Sequence, residues 1–177
     1  MKDKQTILKE SKRDSMWAEI REYENHLNKV IFTGQFSSSD FLLFYSCLQL
    51  TMIDIELYED YYMRNRPKKG NGIIDEIVNI FKSNDMDILK DVFDGIPSLN
   101  KIASADCTVE ERQLLLENIR IDIWAKLVDQ KDKIKSIFDS FPVLSLEQIA
   151  ILFQCITVVV FELLIKKIEI KILEGEI

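Results

Sequence analysis

A chain of 177 residues, 47% hydrophobic and 30% charged, is long enough to bury one substantial core without disulfides or metal, and two domains of half that size would each be marginal. Five glycines and three prolines are few for an all-β or disordered polypeptide, so composition favours helices. Thirty acidic against 23 basic residues give a net charge of −7, spread along the chain, which argues against non-specific binding to nucleic acid or an anionic membrane, since that needs clustered Lys and Arg.

Trp17, Ile20, Leu27, Val30 and Ile31 recur at helical spacing and predict one amphipathic helix over residues 6–32. Gly34 and the polar run Ser37-Ser38-Ser39-Asp40 break it, and Ser37 with Asp40 has the spacing of a capping box. The next segment, Phe41 to Leu57, is apolar on nearly every side and must be covered all round. It continues through the polar and aromatic residues Tyr58 to Met63, and Pro67 stops it within the loop Arg64 to Gly72. Ile73, Ile74, Ile77, Val78 and Phe81 predict a short helix. Met86, Ile88, Leu89, Val92 and Phe93 predict another, capped by Ser83 or Asn84 and ended by Gly95-Ile96-Pro97, with a loop over 98–107.

Thr108 and Glu111 form a second box ahead of Leu115, Leu116, Ile119, Ile123, Trp124 and Leu127; after a break near Asp129 the pattern runs through Ile134, Ile137 and Phe138 to Pro142. Ser145 and Gln148 make a third box, opening a second strongly apolar helix, Ile149 to Ile165. Ile168 to Leu173 alternates like a strand, but Leu164, Ile168 and Ile172 align at i, i+4 and i+8, so the helix is expected to continue. The expected fold is all-α: one domain, 1–177, of about six or seven helices around two central helices, 41–57 and 149–165. No internal repeat is evident.

Cys47, Cys107 and Cys155 are odd in number, far apart and without CxxC spacing, which is neither a disulfide framework nor a zinc site and points to a reducing, cytoplasmic setting. The charged start, Met1 to Glu10, lacks the apolar run of a signal peptide. The 17-residue apolar stretch at 149–165 is at the short limit for crossing a bilayer and carries Glu162, so it is expected in the core, with no membrane as partner. Phe36, Phe41, Phe44, Phe153 and Phe161 would also suit a chamber for an apolar ligand.

Glu19-Ile-Arg-Glu22 and Glu56-Leu-Tyr-Glu59 repeat an ExxE spacing that resembles the all-helical nucleoside triphosphate pyrophosphatases, and the resemblance implies Glu19, Glu22, Glu56 and Glu59 as Mg²⁺ ligands for phosphate-ester hydrolysis. The surrounding motif is absent, and a solvated acidic face accounts for the same spacing. Arg64-Asn65 resembles the Arg-polar opening of the HEPN ribonuclease motif, but no His follows. The single histidine, His26, lies on a charged helix and reads as a surface residue, and a di-iron site with two Glu-x-x-His elements is excluded. Tyr58, Tyr61 and Tyr62 beside Arg64, Arg66, Lys68 and Lys69 combine the residue types enriched at protein interfaces. The expected function is therefore a non-enzymatic helical interaction module, a regulator, inhibitor or immunity-type factor without cofactor, contacting a protein partner or a second copy through those residues. The Mg²⁺-dependent hydrolase and the apolar-ligand sensor stand as alternatives.

Overall fold

The computed structural model describes residues 1–66 and 108–176. Six α-helices occupy them: α1 (Lys4–Arg21), α2 (Glu24–Thr33), α3 (Phe41–Arg64), α4 (Val109–Val128), α5 (Lys131–Ser140) and α6 (Leu146–Leu173), with a single 3₁₀ turn at Ser38–Asp40. The fold is an all-α bundle, and no strand occurs among the described residues. The two short helices expected between Ile73 and Phe93, and the loop after them, lie outside the described residues.

All three capping boxes form, at Ser37/Asp40, Thr108/Glu111 and Ser145/Gln148, each satisfying amides that the first helical turn leaves without a partner. The C-terminal segment is helical to Leu173 despite its alternating pattern. One expectation needs correction: residues 6–32 are two helices, not one. The amides of Glu22 and Tyr23 turn back to the carbonyls of Glu19 and Ile20 three residues earlier, and Tyr23 (φ −99°, ψ 9°) leaves the helical region before α2 begins. The break between α4 and α5 has the same form, with Gln130 at φ −107°, ψ 13° bonded back to Leu127.

That coincidence extends along the whole chain, so the absence of a repeat is also corrected. Helices α1–α2–α3 and α4–α5–α6 are two copies of one three-helix unit: a long helix, a break without glycine or proline, a ten-residue helix, a Ser-initiated capping box and a long apolar helix. Aligned on the breaks, Glu10-x₂-Arg13-x₃-Trp17-Ala18 matches Glu117-x₂-Arg120-x₃-Trp124-Ala125. One extra residue in the second loop then brings Ser37, Cys47 and Asp54 onto Ser145, Cys155 and Glu162.

The central helices α3 and α6 pack against each other and run side by side in the same direction, since Phe44 meets Phe153 near their N-terminal ends and Asp54 faces Glu162 further along. Helix α1 packs on its own unit's α3, α4 packs on both central helices and most extensively on α3, α2 packs on the opposite unit's α6, and α5 lies on its own α6 and also reaches α3. The exchange locks the units together. Both α3, with its 3₁₀ turn, and α6 are long and apolar enough to cross a membrane by length and composition. Every residue from Ile151 to Leu163 on α6 is nonetheless buried by neighbouring helices of this fold. Each large apolar side chain so covered contributes about 1.5–3 kcal/mol.

Candidate functional site

Two regions carry unusual chemistry: a charged layer across the middle of the bundle and an aromatic tip at the N-terminal ends of α3 and α6.

In the charged layer each unit holds a buried carboxylate in a clasp of Arg and Trp one helical turn apart. On α1 the i, i+4 spacing puts Arg13 and Trp17 on one face. Arg13 Nε donates to Asp54 at 2.8 Å and Trp17 Nε1 donates to the same oxygen at 3.3 Å. On α4, Arg120 Nε donates to both oxygens of Glu162, at 2.9 and 3.1 Å, and Trp124 Nε1 donates at 3.2 Å. Buried carboxylates need such partners, because an unpaired charge there costs several kcal/mol. Burial pushes the Glu162 carboxyl up from its ordinary pKa, with the Arg120 guanidinium pulling it back. Tyr62 completes the first clasp, donating from its hydroxyl to Asp54 at 2.9 Å while its ring stacks on Trp124 at 5.7 Å. Burial, with Asp54 and Glu162 close by, drives the Tyr62 phenol pKa upward.

The tip is built by the two loops that lead into the central helices. Phe36 lies 5.4 Å from the Phe44 ring and 5.7 Å from Phe153; Phe41 lies 5.9 Å from Phe141, which in turn meets Tyr45 at 5.3 Å. At this end of the bundle Leu42 is 78% exposed, Val143 82%, Leu146 87% and Phe36, within the ring cluster, 41%. The flanking polar groups are occupied: Asp40 accepts from the Ser37 amide at 2.9 Å and pairs with His26 Nε2 at 2.7 Å. His26 makes no hydrogen bond to a serine or cysteine among the described residues, so no nucleophile relay is assembled around it.

The residues singled out in the sequence scatter across these settings. Tyr58 is half-buried with the Arg13 guanidinium 5.0 Å above its ring, and Tyr62 is in the core. Tyr61 is exposed but donates to Glu117, while Arg66 pairs with Asp129 at 2.8 Å. Arg64 is exposed, and Lys68 and Lys69 lie outside the described residues. The four glutamates are not brought together. Lys9 pairs with Glu56 and Arg13 with Asp54, so α1 and α3 are antiparallel, and Glu19 stands ten residues, about 15 Å, beyond Lys9 on α1. Glu59 is held by Lys131 at 2.7 Å. Among the described residues no group of three or more His, Cys, Asp or Glu is gathered as metal ligands require.

Of these tip residues the sequence points to Phe36, among the phenylalanines suited to an apolar chamber, and not to Leu42, Val143 or Leu146. Their signal was present: in a chain 30% charged, the stretches Thr33 to Ser39 and Ser140 to Leu146 contain no Lys, Arg, Asp or Glu. No family model matches this chain, and no curated protein or solved structure matches it.

Proposed function

We propose that the protein is a non-catalytic helical interaction module of the cytoplasm that binds a protein partner through the aromatic tip of its central helix pair. One observation carries the reading: Leu42, Val143 and Leu146, at the N-terminal ends of α3 and α6 and in the loop before α6, are left largely exposed at the end of the bundle where Phe36, Phe41, Phe44, Phe141 and Phe153 pack together. Leaving them in water is unfavourable, and contiguous apolar surface rimmed by occupied polar groups is characteristic of contact sites. The charged residues in the middle of the bundle face one another, so they serve the fold and leave the tip to recognition. The Tyr58-to-Lys69 surface becomes the secondary candidate, because Tyr62 is committed to the core and Arg66 to Asp129.

The test compares tagged wild-type protein with a Leu42→Glu, Val143→Glu, Leu146→Lys variant, recovered gently from its own cells and weighed by native mass spectrometry. Since all three positions are exposed, far-ultraviolet circular dichroism and the melting midpoint should be unchanged. A stoichiometric partner held by the wild type and lost by the variant is the expected outcome. A partner retained by that variant but lost on Tyr61→Ala with Arg64→Glu would move the contact to the other end of α3.

A further inference from the structure

In both units the start of the central helix is tied at one point to the short helix before it, and the two ties differ in chemistry. In the first unit His26 of α2 meets Asp40, in the turn that opens α3, with Nε2 to Oδ1 at 2.7 Å. Alignment on the breaks sets His26 against Lys133 of α5, which pairs with Glu147 at the start of α6 at 3.2 Å. The tie thus recurs at the same place. In the second unit its cation is a lysine, charged at any physiological pH. In the first it is the one histidine of the chain, the side chain type whose charge changes between about pH 5 and 8.

Asp40 holds more than the imidazole. Its other oxygen accepts from the Ser37 amide at 2.9 Å, and its own amide donates to the Ser37 carbonyl at 3.0 Å, which closes the turn. Phe36, next to Ser37 in the chain, packs against Phe44 of α3 and Phe153 of α6. The histidine therefore reaches the aromatic tip through one carboxylate. The Ser37 amide, with the imidazole beside it, holds the Asp40 carboxyl below its ordinary pKa, so Asp40 is an anion throughout the range in which a histidine titrates. Among the described residues the exposed His26 ring makes its one hydrogen bond to Asp40. Lys29 follows one turn along α2, and on α6, against which α2 packs, Lys167 is taken by Glu24. An imidazolium carries a proton on both nitrogens and attracts the carboxylate. A neutral ring keeps one proton, on either nitrogen, and offers Asp40 a weaker bond or a lone pair.

We propose that His26 is a pH-sensitive latch on the aromatic tip: as the imidazolium it fastens the turn over 37–40 to α2, and as the neutral ring it lets that half of the tip loosen, while Lys133 keeps the other half fastened. A surface already held in its binding shape loses less freedom on contact, so recognition at the tip should strengthen as pH falls from about 7.5 to about 5.5. This consequence rests on the tip being the contact site; the latch itself does not.

Hydrogen-exchange NMR on the full chain at about pH 5.5 and 7.5, corrected for the intrinsic pH dependence of exchange, tests the latch without any partner. The Ser37 and Asp40 amides should be about two- to fivefold better protected at the lower pH, the range an exposed ion pair supplies, while the Ser145 and Gln148 amides of the second unit stay level. His26→Lys should hold the first turn at the protected level at both pH values. Equal protection of Ser37 and Asp40 at the two pH values, a change shared by Ser145 and Gln148, or a pH dependence that survives in His26→Lys would each overturn the proposal. Native mass spectrometry at the same two pH values separates the latch from the contact site. A partner released by the Leu42→Glu, Val143→Glu, Leu146→Lys variant, yet held by the wild type equally at both, overturns the regulation alone. A partner kept by that variant overturns the tip as contact site and leaves exchange to decide the latch.

Discussion

The two units answer the same problem, a carboxylate in the middle of an apolar helix, with different surroundings. Asp54 takes one guanidinium and two neutral donors, Trp17 and Tyr62, so its oxygens are filled locally. Glu162 relies on Arg120, and that guanidinium is shared with Glu117 at 2.8 Å and Glu169 at 2.9 Å. Arg13 also meets the exposed Asp14 at 3.3 Å, so the cation of the first clasp serves two anions, whereas that of the second serves three. Geometry has been repeated while electrostatics has not, so the repeat preserves a packing solution and leaves the charge pattern free to diverge.

The largest effects should come from breaking either clasp. Asp54→Ala or Glu162→Ala leaves a buried guanidinium and an indole N–H without their acceptor, and each should cost about 3–5 kcal/mol in urea denaturation. Because the two carboxylates face each other, with Asp54 adding to the upward push on Glu162, the double variant should cost less than the sum. Strict additivity would mean that the clasps act as separate units. Glu162→Gln keeps an acceptor and removes a buried charge, so it should cost less than Glu162→Ala. The sign with pH follows from the raised folded pKa. The folded state holds the Glu162 proton more tightly than the unfolded chain does, so wild type should lose stability relative to Glu162→Gln as pH rises from about 4.3 through that raised value.

Smaller effects are expected at the caps, where the units differ by one charge. Ser37→Ala and Ser145→Ala should each cost about 1 kcal/mol, read from the denaturation midpoint. Asp40 closes the first box and Gln148 the second. The Ser37 amide, with His26 beside it, holds the Asp40 carboxyl below its ordinary pKa. Its contribution should therefore be complete above about pH 3.9 and disappear as pH falls through the lower folded value. Hydrogen exchange in acid should thus loosen the start of α3 before the start of α6. Asp40→Gln should remove the difference, and equal loosening in the wild type would show that this carboxylate does not control the cap.

Much of this architecture was legible in the sequence, because caps and apolar runs act locally. Three Ser/Thr-x-x-acid/amide boxes, the two all-round apolar helices and the break near Asp129 could be read from neighbours four residues apart. The break at Glu22–Tyr23 could not, since it carries neither glycine nor proline and follows from packing α1 on α3 and α2 on α6. The repeat is faint in the sequence for a related reason. Its signature is spread over Glu10, Arg13, Trp17 and Ala18 and then resumes after a loop of different length, so that Asp54 and Glu162 correspond only once the structure supplies the alignment. Tyrosine beside arginine in the sequence points to an interface at Tyr62, yet the same amphipathic ring serves equally well when its hydroxyl finds a buried carboxylate.

The smallest expected effect asks whether two similar units behave as one. Cys47 and Cys155 occupy equivalent buried positions on α3 and α6; burial raises the Cys47 thiol pKa to about 12 and pushes that of Cys155 up as well. Thiolate is the reactive form, so neither should react measurably with a thiol reagent at pH 8 while the protein is folded. Reaction then requires opening, and the rate at each cysteine, followed by peptide mass mapping to separate Cys107, reports the opening that exposes it. Because α3 packs on α6, α4 on α3 and α2 on α6, neither unit can release its central helix without disturbing the other. Cys47 and Cys155 should accordingly be modified at equal rates across a denaturant series. A faster rate at one of them, persisting in water, would mean that its unit opens alone and that the packing between units does not couple the halves.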